Sequence, residues 1–192
     1  DYQKEYDDSF QAYLRHLQGI IDAQGGNIQE AVMQILEQVF HYPKGRPIVA
    51  EDLRDADTAV YIVSRIAGEG SDRFDQPGEY QLSAEEEAHL KMLSESPCKL
   101  VVVLNAGSPL DTSFLDRYQV DALIQMSQPG MEGGNAFADV LSGKVNPSAK
   151  LTDTWAKQYA DYPNASCFSH NNGNVDKEEY VEGIYVGYRY FD

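Results

Sequence analysis

The stretch "KLVVVLNAG", residues 99–107, constrains this chain more than any other. It is apolar without a break from Leu100 to Leu104 and carries three consecutive valines. A strand with one wet face alternates apolar and polar residues, whereas an unbroken apolar run fits a strand covered on both faces, as in a parallel sheet flanked by helices. The other elements must therefore supply layers for the two faces.

The rest of the pattern supplies them. Apolar residues at Phe10, Leu14, Leu17 and Ile21 recur at helical spacing. Ile28, Val32, Ile35, Leu36 and Val39 do the same after the helix-start pattern Asn27-Ile28-Gln29-Glu30, so two amphipathic helices are predicted, parted near Gly25-Gly26. A connector rich in proline and glycine, "HYPKGRP", leads through the helical stretch "AEDLRDA" to "AVYIVSRI", which reads as a buried strand. Ser83-Ala84-Glu85-Glu86 is a capping box and predicts a helix over 83–96, ending before Pro97. After the 99–107 strand come a short helix near 111–117, a strand over 120–127 ("VDALIQMS") and a helix over 131–142 closed by Gly143. The remaining third is polar and reads mainly as a long loop before the aromatic tail "EGIYVGYRYFD". Strand, helix, strand, helix, strand, helix is the order of a right-handed parallel α/β layer structure, and one domain is expected.

In such sheets ligands sit at the carboxyl ends of the strands. Three glycine-containing segments leave those ends: "AGEGSDR", "NAGSPLD" and "SQPGMEGGN". The first places a glycine on each side of Glu69, followed by Asp72 and Arg73. Flanking glycines allow backbone angles that other residues resist, so the loop can present the carboxylate at a tip; a plain structural turn with a solvated glutamate is the competing reading. A phosphate cradle is disfavoured, because neither GxGxxG nor GxxxxGK[ST] spacing is present and carboxylates stand where amides and a lysine would be needed. Metal binding by Glu69, Asp72 and Asp75 is disfavoured too, since carboxylates on one loop without further ligands usually face solvent. A general acid/base needs one positioned carboxyl with a tuned pKa and a second carboxylate across the substrate. His16, His41, His89 and His170 stand apart from any nucleophile motif, and Trp155 fits a core position as readily as a sugar platform. Tyr185, Tyr188 and Tyr190 are expected to pack against a neighbouring surface.

Charge narrows the partners. Fifteen Lys and Arg against 31 Asp and Glu give a formal charge of −16, a field that repels nucleic acid and anionic membranes. No apolar run approaches the length of a membrane span. Cys98 and Cys167 form no metal or disulfide pattern and read as free thiols, which with the lack of a signal-peptide layout favours a cytoplasmic setting while leaving secretion open. Asn164-Ala165-Ser166 fits a glycosylation sequon, a pattern that also arises by chance. No cofactor and no metal are expected.

Taken together, these segments resemble the second, α/β-sandwich domain of glycoside hydrolase family 3, which includes many β-glucosidases. "GEGSDR" before a capped helix is similar to the family's EG-x-DR segment, "VVVLNAGSPLD" to its central strand and turn, and "QPGMEGGNAFADVLSGKVNPSAKL" to its glycine-rich turn, helix and Asn-Pro-Ser stretch. "EGIYVGYRYFD" resembles the segment leaving the domain. Ala149-Lys150 departs from the family's usual Gly-Arg. The resemblance implies a three-layer α/β/α sandwich with a mostly parallel sheet, over a core at 57–180, an exit segment at 181–192 and a variable helical lead-in at 1–56. The family's first strand is not visible, so residue 1 is expected to lie inside the domain and the sheet to be one strand short.

By the same resemblance, Glu69 is the general acid/base of a retaining β-glycosidase, with Asp72 and Arg73 orienting the loop or binding substrate. The nucleophilic aspartate would sit on a separate (β/α)8 barrel domain, which this sequence does not contain, so the chain alone is expected to be nearly inert. The partners implied are a β-glycoside or oligosaccharide and that barrel. The "GEGSDR" loop points towards a β-glucosidase-like activity, while the sugar and linkage stay open. The rival readings are a noncatalytic carbohydrate- or partner-binding module and a free-standing flavodoxin-like binder.

Overall fold

The computed structural model describes residues 1–191 apart from 39, 44, 45, 67–72 and 175. They form two compact units, Asp1–Ile48 and Val49–Asp192.

In the first unit, helix α1 spans Tyr2–Ala23 and helix α2 spans Ile28–Leu36. Asp1 caps α1 by accepting from the Gln3 amide at 3.1 Å, and Lys4–Asp8 at 2.8 Å adds an i,i+4 pair along it. The chain turns at Gly25 and Gly26, whose φ of 64° and 82° suits glycine. Asn27 then caps α2 through the Gln29 amide at 3.1 Å. The two helices pack together, and Phe40 wedges among Tyr6, Phe10, Tyr13 and Tyr42 with ring centroids 5.0–5.7 Å away. Aromatic packing therefore closes this hairpin, whereas Ile28 and Leu36 of the anticipated apolar stripe are exposed; Val39 lies outside the described residues.

The second unit is α/β. After a 3₁₀ turn at Ala50–Leu53 come β1 (Thr58–Ser64), α3 (Ala84–Ser94), β2 (Lys99–Asn105), α4 (Phe114–Arg117), β3 (Ala122–Gln125), α5 (Gly133–Leu141) and α6 (Tyr188–Phe191). The strands form a parallel sheet in the order β1-β2-β3, with Thr58 opposite Lys99 and Val101 opposite Ala122. β2 is central, and its Leu100, Val102, Val103 and Leu104 are all within 1% of complete burial. With Val63, Leu90, Leu93, Leu110 and Phe114 they make the core. The uninterrupted apolar pattern of β2 thus follows from its place between two neighbours with both faces covered.

The Ser83 capping box closes as expected. Ser83 Oγ accepts from the Glu86 amide at 3.2 Å, and Glu86 Oε2 accepts from the Ser83 amide at 2.8 Å. β3 is shorter than the 120–127 run at both ends, and at its start the Leu100 amide donates to the carboxylate of Asp121 at 2.7 Å. Gly143 ends α5 with φ of 73°. The described residues of 145–187 make 3₁₀ turns at Tyr159–Asp161 and Ser169–Asn172 and otherwise run as loop. Among the described residues no helix is long and apolar enough to cross a membrane, and both cysteines are free thiols.

Candidate active site

Because all three strands run parallel, the segments leaving β1, β2 and β3 emerge on one edge of the sheet. Glu69 and Asp72 lie on the β1 exit, at positions outside the described residues. The described residues around 67–72 include two arginines: Arg65, separated from that segment by Ile66, and Arg73, directly after it.

Arg65 follows β1 directly, its amide still bonded to the Asn105 carbonyl at 3.1 Å. Its side chain is only 7% exposed and spends all five N–H groups. Nε donates to the Glu79 carbonyl at 2.7 Å; Nη1 donates to Ser64 O at 2.8 Å and Glu86 Oε1 at 2.7 Å; Nη2 donates to Gln81 O at 3.1 Å and Glu86 Oε2 at 2.8 Å. Such a fork-on-fork pairing with a carboxylate is the strong, directional kind. Burial alone would raise the Glu86 carboxyl, but the hydrogen bonds from Arg65 and Ser83 and the guanidinium charge outweigh it and hold the carboxyl below its ordinary value.

Arg73, on the other side of 67–72, turns inward. Its Nη2 donates to Ser108 Oγ and to the Pro109 carbonyl, the latter at 2.7 Å, and its Nη1 reaches the Glu79 carbonyl at 3.4 Å. This ties the β1 exit to the β2 exit. Burial and the neighbouring Arg65 cation lower the Arg73 guanidinium from its usual value, while Glu79 opposes them.

Both arginines land on the turn at 74–81, which is fastened by its own bonds. The Glu79 carboxylate accepts from the Phe74 amide and from Gln76 Nε2, each at 2.6 Å, and the amides of Tyr80 and Gln81 return to the carbonyls of Phe74 and Gln76 at 3.2 Å. The Tyr80 carbonyl accepts from the Asp111 amide at 2.9 Å. Three consecutive carbonyls, of Glu79, Tyr80 and Gln81, thereby bind the β1 exit, the β2 exit and the turn into one shelf.

Beside Arg73 opens a cavity of about 330 Å³, lined by Tyr80, Ser108, Tyr159, Tyr162 and Phe168 among others. A second, of about 450 Å³, lies at the ends of β2 and β3 between Gln125, Ser127, Lys150 and Trp155, which is half-buried. The tail rings Tyr185, Tyr188 and Tyr190 are 48–59% exposed. Among the described residues no three His, Cys, Asp or Glu side chains come close enough to share a metal ion.

Of the residues singled out from the sequence, Arg73 is thus brought to the shelf. Arg65, Glu79 and Ser108 were not anticipated, and Glu86 was read only as a helix cap. The signal available for Arg65 was a charge directly after an apolar strand-forming run, ahead of a glycine-rich segment; that strand, β1, is buried only at Val63, with Val60 and Ile62 exposed, and not throughout as its apolar run suggested.

Residues 8–188 match the family model described as the glycosyl hydrolase family 3 C-terminal domain. The chain is 40% identical over 193 residues to a β-glucosidase of Ruminococcus albus, covering 91% of this chain and 20% of the relative. It is 37% identical over 169 residues to β-glucosidase A of Butyrivibrio fibrisolvens, covering 76% and 20%. The chain therefore spans about a fifth of the length of these curated relatives. Among solved structures, β-glucosidase 3B of Thermotoga neapolitana in complex with glucose superposes with a TM-score of 0.71 at 33% identity, over 90% of this chain and 27% of that one. A β-glucosidase of Paenibacillus barengoltzii does so with a TM-score of 0.71 at 35% identity, over 77% and 16%.

Proposed function

Since this chain belongs to the glycosyl hydrolase family 3 C-terminal domain family, we propose that it is the acid/base-bearing domain of a retaining β-glucosidase whose nucleophile lies on a separate barrel domain. Glu69 is the acid/base. In the first half-reaction its protonated carboxyl donates to the glycosidic oxygen while a carboxylate from the barrel attacks the anomeric carbon; in the second, ionised Glu69 takes a proton from water as that water releases the sugar. Retaining pairs stand about 5–5.5 Å apart, so the β1 exit has to present Glu69 to the barrel across a domain boundary.

The observation that carries this reading is the bracketing of the "AGEGSD" segment by Arg65 and Arg73, both fastened to one shelf at the carboxyl edge of the sheet. A solvated surface turn has no need of two inward-facing guanidinium groups, whereas a turn that must meet a second domain does. Arg73 acts here as a loop-orienting residue, and Asp72, three positions after Glu69 in the sequence, orients the loop or binds substrate. The noncatalytic reading, a module that only binds carbohydrate, draws on the aromatic cavity beside Arg73.

The test is Glu69→Ala in the full-length parent enzyme. A β-glucoside with a poor leaving group, such as cellobiose, is expected to lose kcat/KM by about 10²–10⁴-fold. A dinitrophenyl β-glucoside is expected to keep its kcat/KM, with azide restoring its turnover. Full activity on cellobiose would end the proposal and leave the binding module in its place.

A further inference from the structure

We propose that Arg65, held by Glu86, is a positioning residue for the segment that carries Glu69, an inference that rests on the acid/base reading above. The β1 ladder ends at Ser64, so residue 65 is the last point at which the sheet itself fixes the path of the chain. Beyond it, hydrogen bonds have to do the fixing. Arg65 supplies five, and four of their acceptors lie 14 to 21 residues further along: the carbonyls of Glu79 and Gln81 and both oxygens of Glu86.

Arg73, the first described residue after 67–72, is fixed to the same object. Arg73 reaches the Glu79 carbonyl that Arg65 also uses, and it extends to Ser108 and Pro109. Arg65 and Arg73, which stand before and after that segment in the sequence, thus share one acceptor. Two guanidinium groups over one carbonyl repel each other, and Glu86 is the carboxylate that pairs with Arg65 at 2.7 Å to offset the crowding. Glu86 is itself locked by the capping box, so helix α3, through its first turn, becomes the anchor of the arrangement.

Lysine could not replace this anchor. It offers three donors on a flexible stem where Arg65 uses five in a planar fork. A displacement of about 1 Å at a reacting group can cost roughly 100-fold in rate. A side chain that serves only to stabilise the fold would, when altered, lower all substrates together.

The experiment compares Arg65→Lys, Glu86→Gln and Glu69→Ala with wild type in the full-length parent, measuring kcat/KM for cellobiose and for a dinitrophenyl β-glucoside, along with the melting temperature. Protonation of the leaving group matters for the first substrate and hardly for the second. The expected result is a loss on cellobiose of up to about 100-fold in Arg65→Lys, a smaller loss in the same direction in Glu86→Gln, and little change on the activated glycoside for either. Equal losses on both substrates, or none on cellobiose, while Glu69→Ala is selective, would overturn the role of Arg65 and leave the acid/base reading standing. A Glu69→Ala enzyme without selectivity would overturn the reading and this inference with it. Should Arg65→Lys fail to fold, Glu86→Gln decides on the same ratio.

Discussion

Arg65 and Glu86 meet through two parallel hydrogen bonds, 2.7 and 2.8 Å long, with side chains only 7% and 17% exposed. Removing one partner of such a pair leaves the other charge buried and uncompensated, so Glu86→Ala is expected to destabilise the protein by about 3–5 kcal/mol. The check is the denaturant midpoint of the variant against wild type.

The same pair makes stability depend on acid. Glu86 binds its proton more weakly in the folded protein than in the unfolded chain, because Arg65 and Ser83 overcome the effect of burial. Its contribution is therefore present above the ordinary value of 4.5 and is lost as pH falls through the lower folded value. Melting curves taken downward from about pH 6 should fall less steeply for Glu86→Gln than for wild type; equal slopes would show that Glu86 titrates alike in both states.

Tyr61 acts at the other end of the scale. Its hydroxyl lies 3.1 Å from His89 Nδ1, and burial, with the Glu86 charge second, pushes its pKa up from 10.0 to about 12. A raised pKa means that the folded state holds the proton more tightly. The stabilisation is full below 10.0 and disappears as pH rises towards about 12. Tyr61→Phe should flatten the alkaline decline of the melting temperature over that window, and an unchanged decline would place its cause elsewhere.

These residues also mark how far the sequence could be read. β2 was legible because its environment imposes one requirement, apolar side chains on both faces, and leaves it in the sequence as an unbroken run from Leu100 to Leu104. The Ser83–Glu86 box was legible because capping is local, its partners three positions apart. The Arg65–Glu86 bond was not, since its partners lie 21 residues apart and meet only once β1 and α3 are packed. Glu86 serves both interactions, and a motif that explains a residue once gives no hint of a second role. In the helical hairpin at the start, Leu14 and Ile28 of the helical spacings are 40% and 60% exposed, while Phe10, which shares that spacing, packs against the ring of Phe40, a residue beyond both helices that no helical spacing marks.

The core should respond as its burial dictates. Leu104 is fully buried in the central strand, and Leu104→Ala is expected to cost about 2–5 kcal/mol through lost transfer energy and the cavity left behind. Leu123 on β3 is 40% exposed and should lose much less when cut back to alanine. Urea unfolding of the two variants side by side measures the difference; a larger effect at Leu123 would mean that β3 is covered by a surface beyond these contacts.

The double role of Glu86 can be tested by coupling. Ser83 Oγ accepts from the Glu86 amide while the Glu86 carboxylate spans the Ser83 amide and Arg65, so the cap and the ion pair share one side chain. Ser83→Ala alone is expected to cost about 0.5–2 kcal/mol, as loss of an N-cap does. Groups that act through a shared partner are not additive, and their coupling energies run about 0.5–3 kcal/mol. If the cap orients Glu86 for Arg65, the Ser83→Ala/Arg65→Lys double variant should lose less stability than the two single losses combined, because the first change already loosens what the second would break. Simple additivity in that cycle would mean that the Ser83 hydroxyl serves the helix start and does not help to orient Glu86 for Arg65.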